Sequence, residues 1–285
     1  MSRFSLDGQR ALITGGGTGI GAGIARCLLE QGAALVTIVG RRLGVLEETA
    51  HALAADFGDS RVRCAQCDIT SASSVDRAVE LARDGAGLDI AVANAGGVPG
   101  KGPAPFLYLD EDDWLEMCKL TLVGTANTIR AAAWDMRSGS GGSIIAISSS
   151  AAAGPETCNA HYSAAKAGVD MMVRNAAHEL GHFGIRVNSV QPGVTVTESS
   201  RAMYTAGQPV YEDLLARTPL GRSAWPEEMG DAVVYLASRA GAFVTGQVFA
   251  VDGGLSVPAM ADLQQMARRS RGDAVVDDAL KPRLA

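Results

Sequence analysis

The sequence predicts an α/β protein: a doubly wound, seven-stranded parallel sheet with helices on both faces. Two observations predict it. Short apolar runs alternate with longer stretches of helical periodicity along most of the chain, which is the pattern of successive βαβ units. The first of those runs also ends in a glycine-rich turn that opens directly into an amphipathic helix, an arrangement able to seat a phosphate group.

Ala11–Thr14 reads as the first strand, and Ile20–Gln31, with Ile20, Ile24 and Leu28 on one face, as the first helix. Leu35–Val39 and Gly44–Phe57 repeat the pair, as do Val62–Cys67 and Ser73–Arg83. Asp89–Ala93 precedes a long helical stretch at Asp112–Met136, and Ser143–Ser148 precedes another at Ala160–His182. Arg186–Gln191, the helix Pro226–Leu236 and the strand Gln247–Val251 complete the set. Strands joined by helices of this length imply a sheet covered on both sides. No repeat or low-complexity linker divides the chain, so residues 1–257 read as one domain. Gly96–Pro105 is a Gly/Pro-rich loop, and Val194–Pro226 has short helical pieces between turn residues, as suits a lid. Residues 258–285 form a charged extension with Arg268-Arg269 and Asp277-Asp278. A frayed end and a helix reaching a neighbouring subunit both remain open there.

The 285 residues are 47% hydrophobic and carry a net charge of −6. That supports a sizeable core and leaves no basic field for a polyanion, so nucleic acid is not an expected partner. No apolar run reaches the roughly 18 residues that a membrane-spanning helix needs. Met1 to Gln9 is polar and lacks a signal-peptide core, so a soluble, cytoplasmic protein is expected. Cys27, Cys64, Cys67, Cys118 and Cys158 are too scattered, and odd in number, for a disulfide framework. Cys64-x-x-Cys67 has metal or redox spacing, but positions three apart on a strand face opposite ways and no second pair follows. Core packing is expected there, and no metal site.

Glycines in Gly15-Gly16-Gly17-Thr18-Gly19-Ile20-Gly21 would let a pyrophosphate approach the backbone and rest on unpaired helix N–H groups. The Gly17-x-Gly19-x-x-Ala22 register also fits the general dinucleotide fingerprint. At the end of the second strand a carboxylate would bind adenosine ribose hydroxyls and repel a 2′-phosphate. This chain has Gly40-Arg41-Arg42 there. Arginine pairs with phosphate and stacks on adenine, so NADP(H) is expected in preference to NAD(H). Solvated arginines opening the next helix are the alternative.

Tyr162-Ser163-Ala164-Ala165-Lys166 places a phenol and an amine on one helix face. A free phenol, with a pKa of about 10, is a poor base at neutral pH. A neighbouring ammonium, together with an oxidised nicotinamide, would favour the phenolate. Ser149 ends an apolar strand thirteen residues earlier, where its hydroxyl can hold a substrate oxygen.

Together and in this order, these motifs resemble the short-chain dehydrogenase/reductase family in its single-domain, Tyr-x-x-x-Lys form, over roughly Leu6 to Leu255. The resemblance implies a Rossmann-like fold whose cofactor glycine motif is Thr14-Gly15-x-x-x-Gly19-x-Gly21, with Thr18 and Ile20 inside it. It implies Asp68-Ile69 as the adenine contact, Asn94-Ala95-Gly96 as the motif closing the fourth strand, and Pro192-Gly193-Val194 with Thr197 as the segment holding the nicotinamide carboxamide. Val251-Asp252-Gly253-Gly254 resembles the family's final strand and turn, and Ser149, Tyr162 and Lys166 match its catalytic serine, tyrosine and lysine. In the implied chemistry Tyr162 exchanges a proton with the substrate oxygen and Ser149 bonds that oxygen. Lys166 binds the nicotinamide ribose and lowers the tyrosine pKa. One position departs: seven residues after Trp114, where the family usually has asparagine, stands Thr121, and Asn127 lies too far along.

The implied activity is an NADP(H)-dependent oxidoreductase for a ketone or secondary alcohol, with a 3-oxoacyl thioester or another hydrophobic carbonyl compound compatible. An NAD-dependent alcohol dehydrogenase of the same fold and a non-catalytic nucleotide sensor are the alternatives. The resemblance also implies a homotetramer built on the fourth and fifth helices. His161 is expected to line the cleft or the surface, and His178 and His182 lack a third metal ligand. Met171-Met172 read as core or interface packing, and Glu156, Thr157, Cys158 and Asn159 as shaping the substrate pocket.

Overall fold

The structure, a computed structural model, describes residues 2–100, 102–198, 200–257 and 264–280. Among them, strands β1 (Arg10–Thr14), β2 (Leu35–Gly40), β3 (Val62–Gln66), β4 (Ile90–Ala93), β5 (Gly142–Ile147), β6 (Ile185–Pro192) and β7 (Val248–Val251) form one sheet. Its order is β3-β2-β1-β4-β5-β6-β7, and every pairing is parallel.

Successive strand side chains face opposite sides of a sheet, and here the two sides feed two cores. In β1, Ala11 and Ile13 join one layer and Leu12 the other; in β5, Ile145 and Ile147 face one way and Ile144 and Ala146 the other. The first layer packs on α1 (Gly19–Glu30), α2 (Leu43–Phe57) and α8 (Pro226–Ala237) through residues such as Ile24, Leu46 and Met229. The second packs on α3 (Ala72–Arg83), α5 (Gly124–Met136) and α6 (Ala160–Leu180) through Val75, Ile129 and Val169. Burial on both faces is why the strands are nearly continuous apolar runs.

The expected helix Asp112–Met136 is not uniform. It starts as α4 (Glu111–Met117), passes through a π-helical segment at Cys118–Val123, and continues as α5. A reciprocal cap sets its start: the Asp110 carboxylate accepts from Asp113 N (2.9 Å) and the Asp113 carboxylate from Asp110 N (3.1 Å). Beyond it, Thr125 Oγ1 donates to Thr121 O (2.7 Å) and Thr128 Oγ1 to Gly124 O (3.1 Å). Hydroxyls that compete for helical carbonyls disturb the regular ladder, and apolar periodicity carries no trace of it. Helix α6 ends before His182, which lies in a 3₁₀ turn and stacks on Phe183 at 3.8 Å, so His178 and His182 do not share a helix.

The strand order reverses between β1 and β4, and their carboxyl ends leave a crevice there. Above it, the stretch 194–226 carries helix α7 (Pro209–Arg217). In the extension, α9 (Gln264–Arg271) and α10 (Asp273–Leu280) form a pair joined by Arg268 to Asp277 at 2.6 Å; residues 258–263 and 281–285 lie outside the described set. No helix among the described residues is long and apolar enough to cross a membrane. No group of three or more His, Cys, Asp or Glu side chains there is placed to hold a metal ion, and the cysteines are free thiols.

Candidate active site

A cleft of about 1390 Å³ opens at the crevice, and it is bordered by Ser149, Tyr162, Lys166 and most residues named above for cofactor binding, though not by Thr14 or Gly16. Its floor is bare backbone. Gly15 turns with φ +68°, and a Cβ on Gly21 would lie 2.2 Å from Gly15 O. Thr18 sits at the N-cap of α1 without a side-chain cap bond, which leaves the first-turn N–H groups to a ligand. These features fit the pyrophosphate of a dinucleotide. Asn94 holds the floor in shape: its Nδ2 donates to Thr14 O and Gly15 O, both at 3.0 Å. Thr14 Oγ1 in turn accepts from Asn94 N and Ala95 N, both at 3.1 Å. Asn94 thus stitches β1 to β4 across the switch point.

At the end of the cleft beyond β2 and β3, Arg41, Arg42 and Asp68 are exposed and Ile69 is buried. Asp68 accepts from Thr70 N (2.9 Å) and Thr70 Oγ1 (2.8 Å), and these bonds hold its carboxyl below the usual range, with the Arg41 charge adding to the effect. Pro192, Gly193 and Val194 close the far side. The Thr197 side chain lies against Gly19, where a Cβ would meet it at 2.8 Å.

Ser149 follows β5, and Tyr162 lies on the first turn of α6; both border the cleft. Burial pushes the Tyr162 phenol up to about 12; the Ser149 hydroxyl opposes this, and the Glu156 carboxylate adds to it. Lys166 is buried and its amine is pushed down to about 8 by loss of water, with Asp170 pulling the other way. Lys166 Nζ donates to Ile147 O at 2.7 Å and lies 5.8 Å from the Tyr162 ring centre. The expectation that Lys166 lowers the phenol pKa is therefore not met in the free protein. The ammonium is engaged by a strand-end carbonyl, and desolvation of the phenol dominates.

A family model described as enoyl-(acyl carrier protein) reductase matches residues 15–256. The chain is 39% identical to cis-4-hydroxycyclohexanecarboxylate dehydrogenase of Sinomonas cyclohexanicum, over 86% of this chain and 95% of that protein. It is 35% identical to D-threitol dehydrogenase of Mycolicibacterium smegmatis, over 89% of this chain and 95% of that one. A solved short-chain type dehydrogenase/reductase from Mycobacterium ulcerans superposes with a TM-score of 0.84 at 33% identity, covering 95% of this chain and 98% of its own. The chain belongs to the short-chain dehydrogenase/reductase family. Members of this family are oxidoreductases that pass a hydride between a nicotinamide coenzyme and an alcohol or carbonyl carbon, and so is this one.

This short-chain dehydrogenase/reductase agrees with the sequence expectation for Asn127 and differs from those for His161 and Cys158. Thr121 is buried in the π-helical segment and donates to Gly97 O at 3.4 Å; it lies beneath the loop after β4 and does not border the cleft. Asn127 Nδ2 donates to Ile69 O at 2.9 Å, well away from the amine that it would have to serve. His161 lines neither cleft nor surface: it is buried edge-on against Trp114, 6.3 Å between ring centres, because the step of one helical residue from Tyr162 turns it inward. Glu156, Thr157 and Asn159 do border the cleft, whereas Cys158 does not. Cys158 adopts φ +66° and its carbonyl accepts from Ala104 N at 2.8 Å, tying two loops together. Met172 packs in the second core layer, and Met171 is exposed.

Asp170 escaped the sequence reading. It is buried one turn beyond Lys166 and accepts from Ser189 Oγ (2.8 Å) and Gln191 Nε2 (2.7 Å). Its charge is what keeps the buried lysine amine from falling further. The available signal was a carboxylate four residues after the lysine on the same helix.

Proposed function

We propose that the enzyme uses NADP(H) to interconvert a ketone and a secondary alcohol, with Tyr162 transferring the proton. The observation that carries this reading is that Ser149, Tyr162 and Lys166 together border a cleft floored by the glycine turn. A bound nicotinamide would supply or accept the hydride. Ser149 holds the substrate oxygen, Tyr162 gives or takes its proton, and Lys166 bonds the ribose and adds positive charge beside the phenol. The named relatives both act on hydroxylated carbons, which supports a CH–OH substrate. Retention of all three side chains favours turnover over nucleotide sensing. A cytoplasmic homotetramer joined through α4, α5 and α6 is part of the same reading; its mass in solution, measured by light scattering, tests it.

Two results are expected. Arg41→Ala raises KM for NADPH about 10–100-fold, the worth of one charge-assisted bond, and leaves KM for NADH nearly unchanged. Equal losses with both coenzymes would overturn the NADP(H) assignment. The raised phenol pKa keeps Tyr162 protonated at neutral pH, which is the form that ketone reduction uses. Reduction is therefore expected to be level over about pH 6 to 9 while alcohol oxidation climbs, in initial-rate pH profiles.

A further inference from the structure

The substrate end of the cleft has an unusual polar arrangement. Asn159 sits at the N-cap of α6, where asparagine normally accepts from the first-turn N–H groups, yet its side chain makes no cap bond. Its amide instead donates from Nδ2 to Glu156 Oε2 at 2.7 Å. That bond fixes the carboxylate and leaves one acceptor over on an exposed residue, Glu156 Oε1. Asn159 Oδ1 is enclosed with no partner, and Glu156 Oε1 has none among the described residues. Both residues border the cleft with Tyr162 and Tyr204, and the Glu156 charge acts on both phenols. The nearby cation of the lid, Arg217, is already paired with Asp213 at 3.0 Å. The residues beside the catalytic phenol therefore present an exposed carboxylate that no cation among the described residues pairs with. Beside the hydroxyls of Ser149, Tyr162 and Tyr204, that carboxylate accepts from a donor and repels anions.

We propose that Glu156 and Asn159 form a recognition site for a second substrate hydroxyl next to the reacting carbon, so that the enzyme selects uncharged hydroxyketones and polyols over plain ketones and anionic acyl thioesters. This deepens the oxidoreductase reading and rests on it. A hydroxyl donating to Glu156 Oε1 fixes which face of the carbonyl meets Tyr162, and a hydrogen bond to a charged acceptor is worth about 10–100-fold in kcat/KM. The same charge disfavours an acyl thioester carried on a phosphate-bearing group.

The test compares 2-hydroxycyclohexanone with cyclohexanone, and 3-hydroxy-2-butanone with 2-butanone, with acetoacetyl-CoA as the anionic thioester, using both coenzymes. The wild type is expected to prefer each hydroxyketone at least about tenfold in kcat/KM. Glu156→Gln, on an exposed residue, and Asn159→Ala should each collapse that ratio, chiefly through KM. Glu156→Gln should also move the phenol-dependent pH limb to lower pH, a shift that mere loosening of the loop does not produce. Equal rates on hydroxyketone and ketone, or a preference for acetoacetyl-CoA, would overturn the hydroxyl site while leaving the oxidoreductase reading standing. A ratio unchanged in both variants would do the same. No turnover of any of these compounds, nor of the matching alcohols in reverse, would remove both.

Discussion

Tyr162→Phe is expected to lower kcat by about 10²–10⁴, the usual contribution of a positioned acid–base group. The ring remains and only the hydroxyl is lost, so coenzyme titration and thermal melting should stay near wild type. The size of the effect follows from the surroundings: the phenol is desolvated and pushed up to about 12. Water has no comparable donor to put in its place. A variant keeping most of its turnover, with coenzyme affinity intact, would show that the proton travels by another route.

Gly21→Ala is expected to abolish coenzyme binding and to destabilise the fold by at least about 1–3 kcal/mol, the range for overpacking a filled site. The added carbon would lie 2.2 Å from Gly15 O and 2.6 Å from Asn94 Nδ2. Neither can retreat, because Asn94 Nδ2 is bonded to both Thr14 O and Gly15 O. Relief would open the turn that floors the cleft. Gly44→Ala is the control: nothing lies within 4 Å of its Cβ position in α2, and alanine is the better helix former by up to about 1 kcal/mol. Thermal melts and coenzyme titration of the two variants should therefore diverge.

Most of the sheet was legible because its strands are buried on both faces, and runs such as Leu35–Val39 carry that fact in their composition. Spacing also revealed Tyr162 and Lys166, because a helix places residues four apart side by side. What lay hidden depends on competition between bonds. The reach of Lys166 to Ile147 O is set by where β5 ends relative to α6, and the phenol's rise by the burial around it. Thr125 and Thr128 draw on helical carbonyls that a regular periodicity assigns wholly to the backbone ladder. His161 looked accessible beside an accessible tyrosine, but one step along a helix is a rotation of about 100°. Asn94 borders the cleft, as its place in the Asn-Ala-Gly motif led one to expect, and also bonds the backbone at the end of β1; that bracing part is not written in the motif.

The π-helical turn at Cys118–Val123 bears on how the gene can change. A wide turn takes in one more residue than a regular one, so excising a single codon within it would convert it to ordinary helix and keep both flanks in phase. The same excision a few codons downstream would instead swing the rest of the helix by about 100°. Length variation among descendants of this chain should therefore collect at this turn, while the helical stretches on either side change by substitution alone.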